Sequence, residues 1–287
     1  MSAYSKWLLA IPCLLCPFIA EAQGSAQVAN AGQTFEIVQS YETISETNGE
    51  GSSSSSGHST LIERVLHMDE SGIELEYDVP LEADGKRKGV NWQLPARIYR
   101  PKNGEPILLN AAELEKRIDP WLKTAKMSRE ACGQWIFTWN AFKIECDPAS
   151  ALSIVEQYNI WLSNLSEGQP YLESGALVAV PLRIKSSDKD GSVYIAELEI
   201  DPAKVKIEKA ESDVIVGKIT GQSKTFEDAL AAQADNRISG TISVTIETSP
   251  AGQVKKRTSI TKLRIEAGGE METSTKSVTL ERRLLDH

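Results

Sequence analysis

The segment from Ile238 to Glu247 reads ISGTISVTIE, and its alternation of apolar and polar residues decides the fold. Ile242, Val244 and Ile246 share one parity, and serine and threonine occupy the other. A period of two is typical of an antiparallel strand that has one face on the core and the other in solvent. The segment therefore predicts a sheet with only one buried face.

The same period recurs on both sides of this segment. Residues 73–78 read IELEYD, and apolar residues of one parity also mark residues 178–184 and 194–200. Asp188-Lys-Asp-Gly191 lies between the last two runs and has the composition of a hairpin turn. Short β-branched runs at residues 205–207 and 214–219 predict that the meander continues.

A serine-rich tract interrupts the first strands. It begins at Gly49, contains five consecutive serines and ends at Gly57. Because the tract offers no apolar side chain for burial, it predicts a mobile loop between two strands.

The middle of the chain has helical signals. Asn110 with Glu113 fits an N-cap and its capping-box partner, and Asp147-Pro148 fits a second helix start. Apolar residues at helical spacing then run from Ala151 to Leu165 and predict the best helix of the chain. We expect a helical insert at about residues 110–165.

Together these elements predict an α+β fold: a large curved antiparallel sheet, a half-barrel-like meander, with a few helices packed on one face. The order of elements is strands, helices, an aromatic hairpin, a helix and many strands. This order, over most of the mature chain, resembles the half-barrels of periplasmic lipoprotein carriers. We expect residues 34–287 to form a single β-rich domain.

The first 22 residues have the pattern of an export signal. Lys6 supplies the positive charge, residues 7–20 are apolar, and Ala20-Glu21-Ala22 fits a cleavage site. A spanning helix needs about 20 apolar residues, so this run is too short for a membrane anchor. We therefore expect a signal peptide at residues 1–22, a flexible lead-in at residues 23–33, a mature chain without a transmembrane segment, and a periplasmic or secreted location.

Removal of the signal leaves two cysteines, Cys132 and Cys146. An even pair in an oxidising compartment predicts one disulfide, and two buried free thiols are the alternative. The bond would close a loop of about 15 residues, which limits its stabilisation to about 3 kcal/mol.

The chain is acidic, with 31 lysines and arginines against 40 aspartates and glutamates and a net charge of −9. Such a surface repels nucleic acid, so we expect no nucleic-acid partner.

Catalytic and metal-binding patterns are weak. His67 lacks the glycine-flanked serine of a hydrolase elbow, and neither the histidines nor the cysteines have the spacing of zinc ligands. We therefore predict no catalytic residue, no metal and no cofactor. Glu74 and Glu76 share a strand face about 6.5 to 7 Å apart, near the separation in inverting glycosidases, which leaves a periplasmic hydrolase as an alternative.

Aromatic residues are concentrated at Trp135, Phe137, Trp139 and Phe142. They could line a site for an apolar ligand, or they could pack the core beneath a hairpin. The sequence favours an exported, non-enzymatic envelope protein that binds an apolar small molecule, a lipid, a lipoprotein or another envelope protein. A protein-interaction or scaffold module is a further alternative.

Overall fold

The computed structural model describes residues 30–48, 51–82, 91–137, 141–162 and 165–285, with the backbone alone at residues 137 and 141. The predicted signal peptide and most of the predicted lead-in lie outside these ranges.

Strands account for almost half of the described structure. In chain order they are β1 (Thr34–Thr47), β2 (Gly51–Met68), β3 (Gly72–Asp78), β4 (Ala96–Pro101), β5 (Ile107–Leu108), β6 (Trp135–Phe137), β7 (Ala141–Lys143), β8 (Pro170–Tyr171), β9 (Val180–Pro181), β10 (Arg183–Asp188), β11 (Gly191–Glu199), β12 (Arg237–Thr248), β13 (Val254–Ala267) and β14 (Glu270–Leu284). Ten of them form one antiparallel sheet in the order β10-β11-β12-β13-β14-β1-β2-β3-β4-β5. The pairs β6-β7 and β8-β9 form two small sheets.

The described chain also contains four α-helices and one short 3₁₀ turn at Arg129–Ala131. The helices are α1 (Ala111–Thr124), α2 (Ser150–Glu156), α3 (Pro202–Thr220) and α4 (Phe226–Ala232). The first two lie inside the predicted helical insert, and the other two connect β11 to β12.

The helices and their flanking segments lie on one face of the sheet. Tyr158, just after α2, donates a hydrogen bond to Ser59 Oγ at 2.7 Å, and Lys209 of α3 pairs with Glu272 at 3.2 Å. Ser59 has the same parity as buried Leu61 on β2, so α2 covers the inward face. Glu272 likewise has the parity of the buried residues on β14.

The sheet is strongly curved and does not close. Ile73 of β3 and Tyr194 of β11 border the same cavity, although six strand steps separate β11 from β3. Six steps would span roughly 29 Å in a flat sheet, so curvature brings the two side chains together. The predicted α+β class with a half-barrel-like antiparallel sheet is confirmed.

One buried cluster joins the inward face to the helices. Ile37, Leu75 and Ile246 are fully buried on the sheet, and Leu114 and Ile118 are fully buried on α1. Apolar burial of about 25 cal/mol per Å² is therefore the main force that holds α1 to the sheet.

The serine tract was wrongly predicted as a loop. Residues 51–57 are the first part of β2 and pair with β1, for example Ser54 with Ile44. Backbone hydrogen bonds to the neighbouring strand stabilise this extension although its serines are exposed, and an apolar pattern cannot detect that contribution.

Residues 205–207 and 214–219 were wrongly predicted as strands, because they belong to helix α3. Asp201 caps this helix by accepting hydrogen bonds from the amides of Ala203 at 2.9 Å and Lys204 at 3.4 Å. Pro202 occupies the first turn, and Gly221 ends the helix with a left-handed φ of 74°. These end signals outweigh the β-branched residues inside the helix.

The apolar spacing predicted a helix from Ala151 to Leu165. Helix α2 is much shorter, because it ends at Glu156. Asn159 follows, and its Oδ1 accepts a hydrogen bond from the amide of Trp161 at 3.1 Å. This Asx turn offers the backbone an alternative to the helix. The chain therefore leaves the helix and carries Trp161 and Leu162 across the concave side of the sheet.

Candidate functional site

A cavity of about 860 Å³ lies on the concave side of the sheet. This volume falls in the range of small-molecule sites. Its lining is mostly apolar and includes Met68, Ile73, Ile160, Leu162, Leu165 and Val254.

Three separate parts of the chain form the walls of this cavity. The first is the β2–β3 turn with the adjoining end of β4, and the second is residues 160–162 with Leu165. The third is the turn between β12 and β13, from Thr248 to Val254. Tyr194 of β11 closes the far side and donates a hydrogen bond to the carbonyl oxygen of Leu165 at 3.3 Å. The Asx turn after α2 therefore positions one complete wall.

A buried polar group, the Glu63 cluster, lies beside this wall and consists of Glu63, Tyr77, Trp161 and Arg282. The side chain of Glu63 is fully buried, and its Oε1 lies 2.7 Å from Arg282 Nη2. Its Oε2 accepts hydrogen bonds from Tyr77 Oη at 2.6 Å and from Trp161 Nε1 at 2.7 Å. The cluster therefore ties strands β2, β3 and β14 to the segment after α2.

Two aromatic rings enclose the guanidinium group of Arg282. Its Cζ lies 3.6 Å from the ring centre of Phe35 and 4.1 Å from that of Trp161. A desolvated cation between aromatic faces is stabilised by the ring quadrupoles, by about 2 kcal/mol or more in favourable cases. The rings therefore fix the orientation of the guanidinium plane at the edge of the cavity.

A second arginine, Arg100 of β4, also lines the cavity. It pairs with Glu156 at the end of α2, at 2.6 Å, and it acts electrostatically on Tyr77. Burial raises the pKa of Tyr77 well above its usual value, and Glu63 raises it further while Arg100 opposes the change. Tyr77 therefore remains a hydrogen-bond donor to Glu63 throughout the physiological range.

No sequence motif marks the Glu63 cluster, although the strand pattern contains a signal for it. Glu63 lies between Leu61 and Val65 at an inward-facing position of β2, and Arg282 has the parity of buried Leu280 on β14. A charged residue at an inward position of an alternating strand has to find a partner, because burial of an isolated charge is costly.

The aromatic residues predicted to bind a ligand lie elsewhere. Trp135 is half-buried on β6 beside a shallow pocket that also contains Lys143 and Ile219, and Phe142 on β7 is 48% exposed. Trp139 and the side chain of Phe137 lie outside the described part of the structure. Neither Trp135 nor Phe142 lines the 860 Å³ cavity, whose aromatic side chains are Trp161 and Tyr194.

Cys132 and Cys146 form a disulfide, with sulfurs 2.02 Å apart and Cα atoms 5.6 Å apart. The bond closes the segment that carries β6 and β7. Both cysteines pack against the main core cluster, so the hairpin is attached to the body of the protein at its base.

The two glutamates of the hydrolase alternative are engaged in ion pairs. Glu74 accepts a hydrogen bond from Arg97, and Glu76 pairs with Arg64 at 2.7 Å. Both lie on the opposite face of β3 from buried Leu75 and thus away from the cavity. His67 is 63% exposed in its side chain and lies 3.4 Å from Asp69.

Within the described ranges, no group of three or more histidine, cysteine, aspartate or glutamate side chains could hold a metal ion. No helix within those ranges has both the length and the apolar character needed to cross a membrane.

Comparison with known proteins gives no family. No family model matches the chain, and no curated protein matches it.

Two solved structures give very weak likenesses. One is described as an outer membrane lipoprotein-sorting protein domain from Vibrio parahaemolyticus, with 8% identity over 88% of this chain and 87% of that chain and a TM-score of 0.17. The other is Ail, the attachment invasion locus protein of Yersinia pestis, with 5% identity over 88% of this chain and 100% of that chain and a TM-score of 0.14. At these TM-scores neither likeness bears on the function of the chain.

Proposed function

We propose that this protein is an exported, non-enzymatic carrier that binds an apolar small molecule or the acyl part of a lipid on the concave side of its sheet. The observation that carries the proposal is the 860 Å³ cavity with its mostly apolar lining. An apolar ligand that enters such a cavity removes its own surface and that of the wall from water, which is the main source of affinity in sites of this kind.

The proposed location outside the cytoplasm has two supports. The N-terminal residues have the pattern of a signal peptide, and Cys132 and Cys146 form a disulfide, which persists mainly in oxidising compartments. The envelope role therefore has support that is independent of the cavity and can be tested separately.

The hydrolase alternative gains no support from the geometry. Arg97 and Arg64 engage Glu74 and Glu76, which lie away from the concave cavity. The scaffold alternative rests on the exposed edge strand β10, but that strand carries Lys185 and a bulge between Ile184 and Ser186. Both features block edge-to-edge pairing, so the cavity remains the stronger basis for a function.

A fluorescent apolar probe tests the proposal directly. N-phenyl-1-naphthylamine is weakly emissive in water, and we expect saturable binding to the mature protein with enhanced emission. Leu165→Trp places a larger ring in the cavity and is expected to weaken this binding at least tenfold. Leu172→Trp makes the same change at a side chain that is 58% exposed and does not line the cavity, so binding should persist. Unsaturable binding, or equal binding by both variants, would refute the carrier.

Native mass spectrometry of the purified protein, followed by solvent extraction of any bound compound, gives an independent measurement. We expect an extractable apolar compound that raises the native mass before extraction. Recovery of the bare polypeptide mass alone would favour a scaffold.

A further inference from the structure

Arg282 is the most buried charged side chain on the wall of the cavity. It lines the cavity although its side chain is only 4% exposed. A cation so poorly hydrated gains a great deal from any partner that approaches through the cavity, because its interactions are not screened by bulk water.

Hydrogen bonding leaves part of this guanidinium group unused. Nη2 lies 2.7 Å from Oε1 of Glu63 as an ion pair, but neither Nη2 nor Nε, both buried, has a hydrogen-bond partner among the described residues. Buried donors are normally satisfied, and an arginine offers five of them. Because Arg282 lines the cavity, the unsatisfied donors of its guanidinium group are candidate partners for an oxygen of a bound ligand.

The charges around the Glu63 cluster also favour an anion. Arg282, Arg100 and Glu63 have side chains that are 4%, 12% and 0% exposed. The formal charges of these three side chains add up to one positive charge. Glu156 is the acid that balances this charge, and its side chain is 38% exposed. Water screens Glu156 more effectively than the two arginines, so the buried part of the cluster presents excess positive charge to the cavity.

The rim differs from the interior in both charge and exposure. Asp69, Glu70 and Lys102 line the mouth of the cavity and are exposed. The side-chain and backbone hydrogen bonds of Ser71 lower the pKa of Asp69, which therefore stays charged. Solvent screens all three groups, so the selectivity for charge should depend on the interior.

We propose that Arg282 binds the anionic head group of an amphiphile whose chain lies along the apolar wall formed by Ile73, Leu162 and Val254. This inference rests on the proposed carrier function and specifies the class of its ligand. A fatty carboxylate and an alkyl phosphate supply the same chemistry, an anionic oxygen that can accept from Arg282. The aromatic rings on both sides hold the guanidinium plane ready, so little ordering is needed on binding.

Competition against N-phenyl-1-naphthylamine at pH 8 tests the charge preference. Dodecanoate, dodecyl phosphate and dodecanol have the same chain and differ in the head group. We expect at least one of the two anions to displace the probe at a concentration at least tenfold lower than dodecanol, and the better anion identifies the head group. Equal displacement by all three would overturn the inference and leave the carrier intact, whereas a probe that does not bind saturably overturns both.

Two variants test whether Arg282 is the origin of the preference for an anion over dodecanol. Glu63→Gln with Arg282→Met removes both charges of the pair and leaves the net charge unchanged, and we expect the preference for the anion to fall below threefold. Lys102→Met removes an exposed positive charge at the rim of the same cavity, and the preference should remain. A preference that survives in the double variant refutes the assignment to Arg282.

A measurement on the unmodified protein decides the question if the double variant does not fold. We expect the nitrogen-bound proton on Arg282 Nε to shift downfield in nuclear magnetic resonance spectra when the preferred anion is added, and to shift little with dodecanol. An unchanged signal at saturating anion would overturn the proposal.

Discussion

Two regions on the same concave face are built in different ways. Under α1 the contacts are apolar and close-packed: Leu114, Ile118 and Leu122 are buried, and Trp121 packs against Trp92 in a tilted arrangement with ring centres 6.3 Å apart. We call this the α1 region. The cavity region, beneath residues 160–162 and Leu165, instead combines an apolar lining with the buried Glu63 cluster.

The difference shows how a curved sheet can keep an open space beside a packed core. In the α1 region the helix fills the concave side, and burial alone holds it in place. In the cavity region a covering segment is held by directional bonds to Glu63 and by the bond from Tyr194 to Leu165. Directional bonds fix the position of a wall without requiring the space beneath it to be filled.

The largest expected effect is on stability, and it distinguishes the directional bonds of the cavity region from the apolar packing of the α1 region. Arg282→Met removes one partner of a buried ion pair and should lower the free energy of unfolding by about 3–5 kcal/mol, because Glu63 is then buried without its cation. Chemical denaturation measures the loss. The double variant Glu63→Gln with Arg282→Met should recover most of it.

Arg264→Met is the surface control for this experiment. Arg264 pairs with Glu266, and their side chains are 54% and 41% exposed, so the substitution should change stability by no more than about 0.5 kcal/mol. A loss below about 1 kcal/mol for Arg282→Met would mean that the Glu63 cluster does not brace the cavity region.

Truncation of apolar side chains should affect the two regions unequally. Ile118→Ala in the α1 region leaves a hole in a close-packed core and should cost about 2–5 kcal/mol. Leu165→Ala removes a half-buried side chain that already borders an empty space, so it should cost about 1 kcal/mol or less. Denaturant midpoints of the two variants give the comparison, and equal losses would show that the cavity wall is packed as tightly as the core.

The disulfide should contribute to the stability of the region that follows α1 and should have much less effect on binding in the cavity. Cys132→Ala with Cys146→Ala releases a loop of about 15 residues and should cost at most about 3 kcal/mol. Probe binding in the cavity should not change, since neither cysteine lines it. Loss of probe binding at temperatures where the variant is folded would connect the hairpin to the cavity and contradict this separation.

The α1 region was more predictable from sequence than the cavity region. Strand alternation such as IELEYD at residues 73–78 and the signals near Asn110 reveal a sheet and a helix, because apolar burial leaves a periodic trace in the sequence. The predicted role of Asn110 as a side-chain N-cap of α1 was wrong, because its side chain makes no capping hydrogen bond. Asn110 uses its side chain to accept from the amide of Arg97 at 2.9 Å and to donate to the carbonyl of Pro95 at 3.1 Å.

The cavity could not be predicted in the same way. It depends on the Asx turn at Asn159, which ends α2 early, and on curvature that brings Ile73 close to Tyr194. Both are consequences of tertiary geometry and not of local periodicity. Only Glu63 was open to prediction, because a charged residue at an inward position interrupts the apolar pattern of the strand and marks the polar cluster.

The smallest expected effect concerns the segment that follows Leu165. Tyr171 donates to Glu173, and Arg257 of β13 donates to both residues, with its Nε 3.2 Å from Tyr171 Oη. Burial raises the pKa of Tyr171 to about 12, with a further contribution from Glu173 and opposition from Arg257.

This shift predicts how alkaline pH acts on the segment. The folded-state pKa of Tyr171 lies above the ordinary value of 10.0, so the neutral phenol contributes stability that is fully present below about pH 10. That contribution is lost as the pH rises towards 12, because the unfolded chain releases the proton first. We expect the free energy of unfolding to fall more steeply between pH 10 and 12 in the unmodified protein than in Tyr171→Phe, which lacks the titrating group. Parallel decreases in the two proteins would show that Tyr171 is solvated and that its bonds to Glu173 and Arg257 contribute little to holding the segment on the sheet.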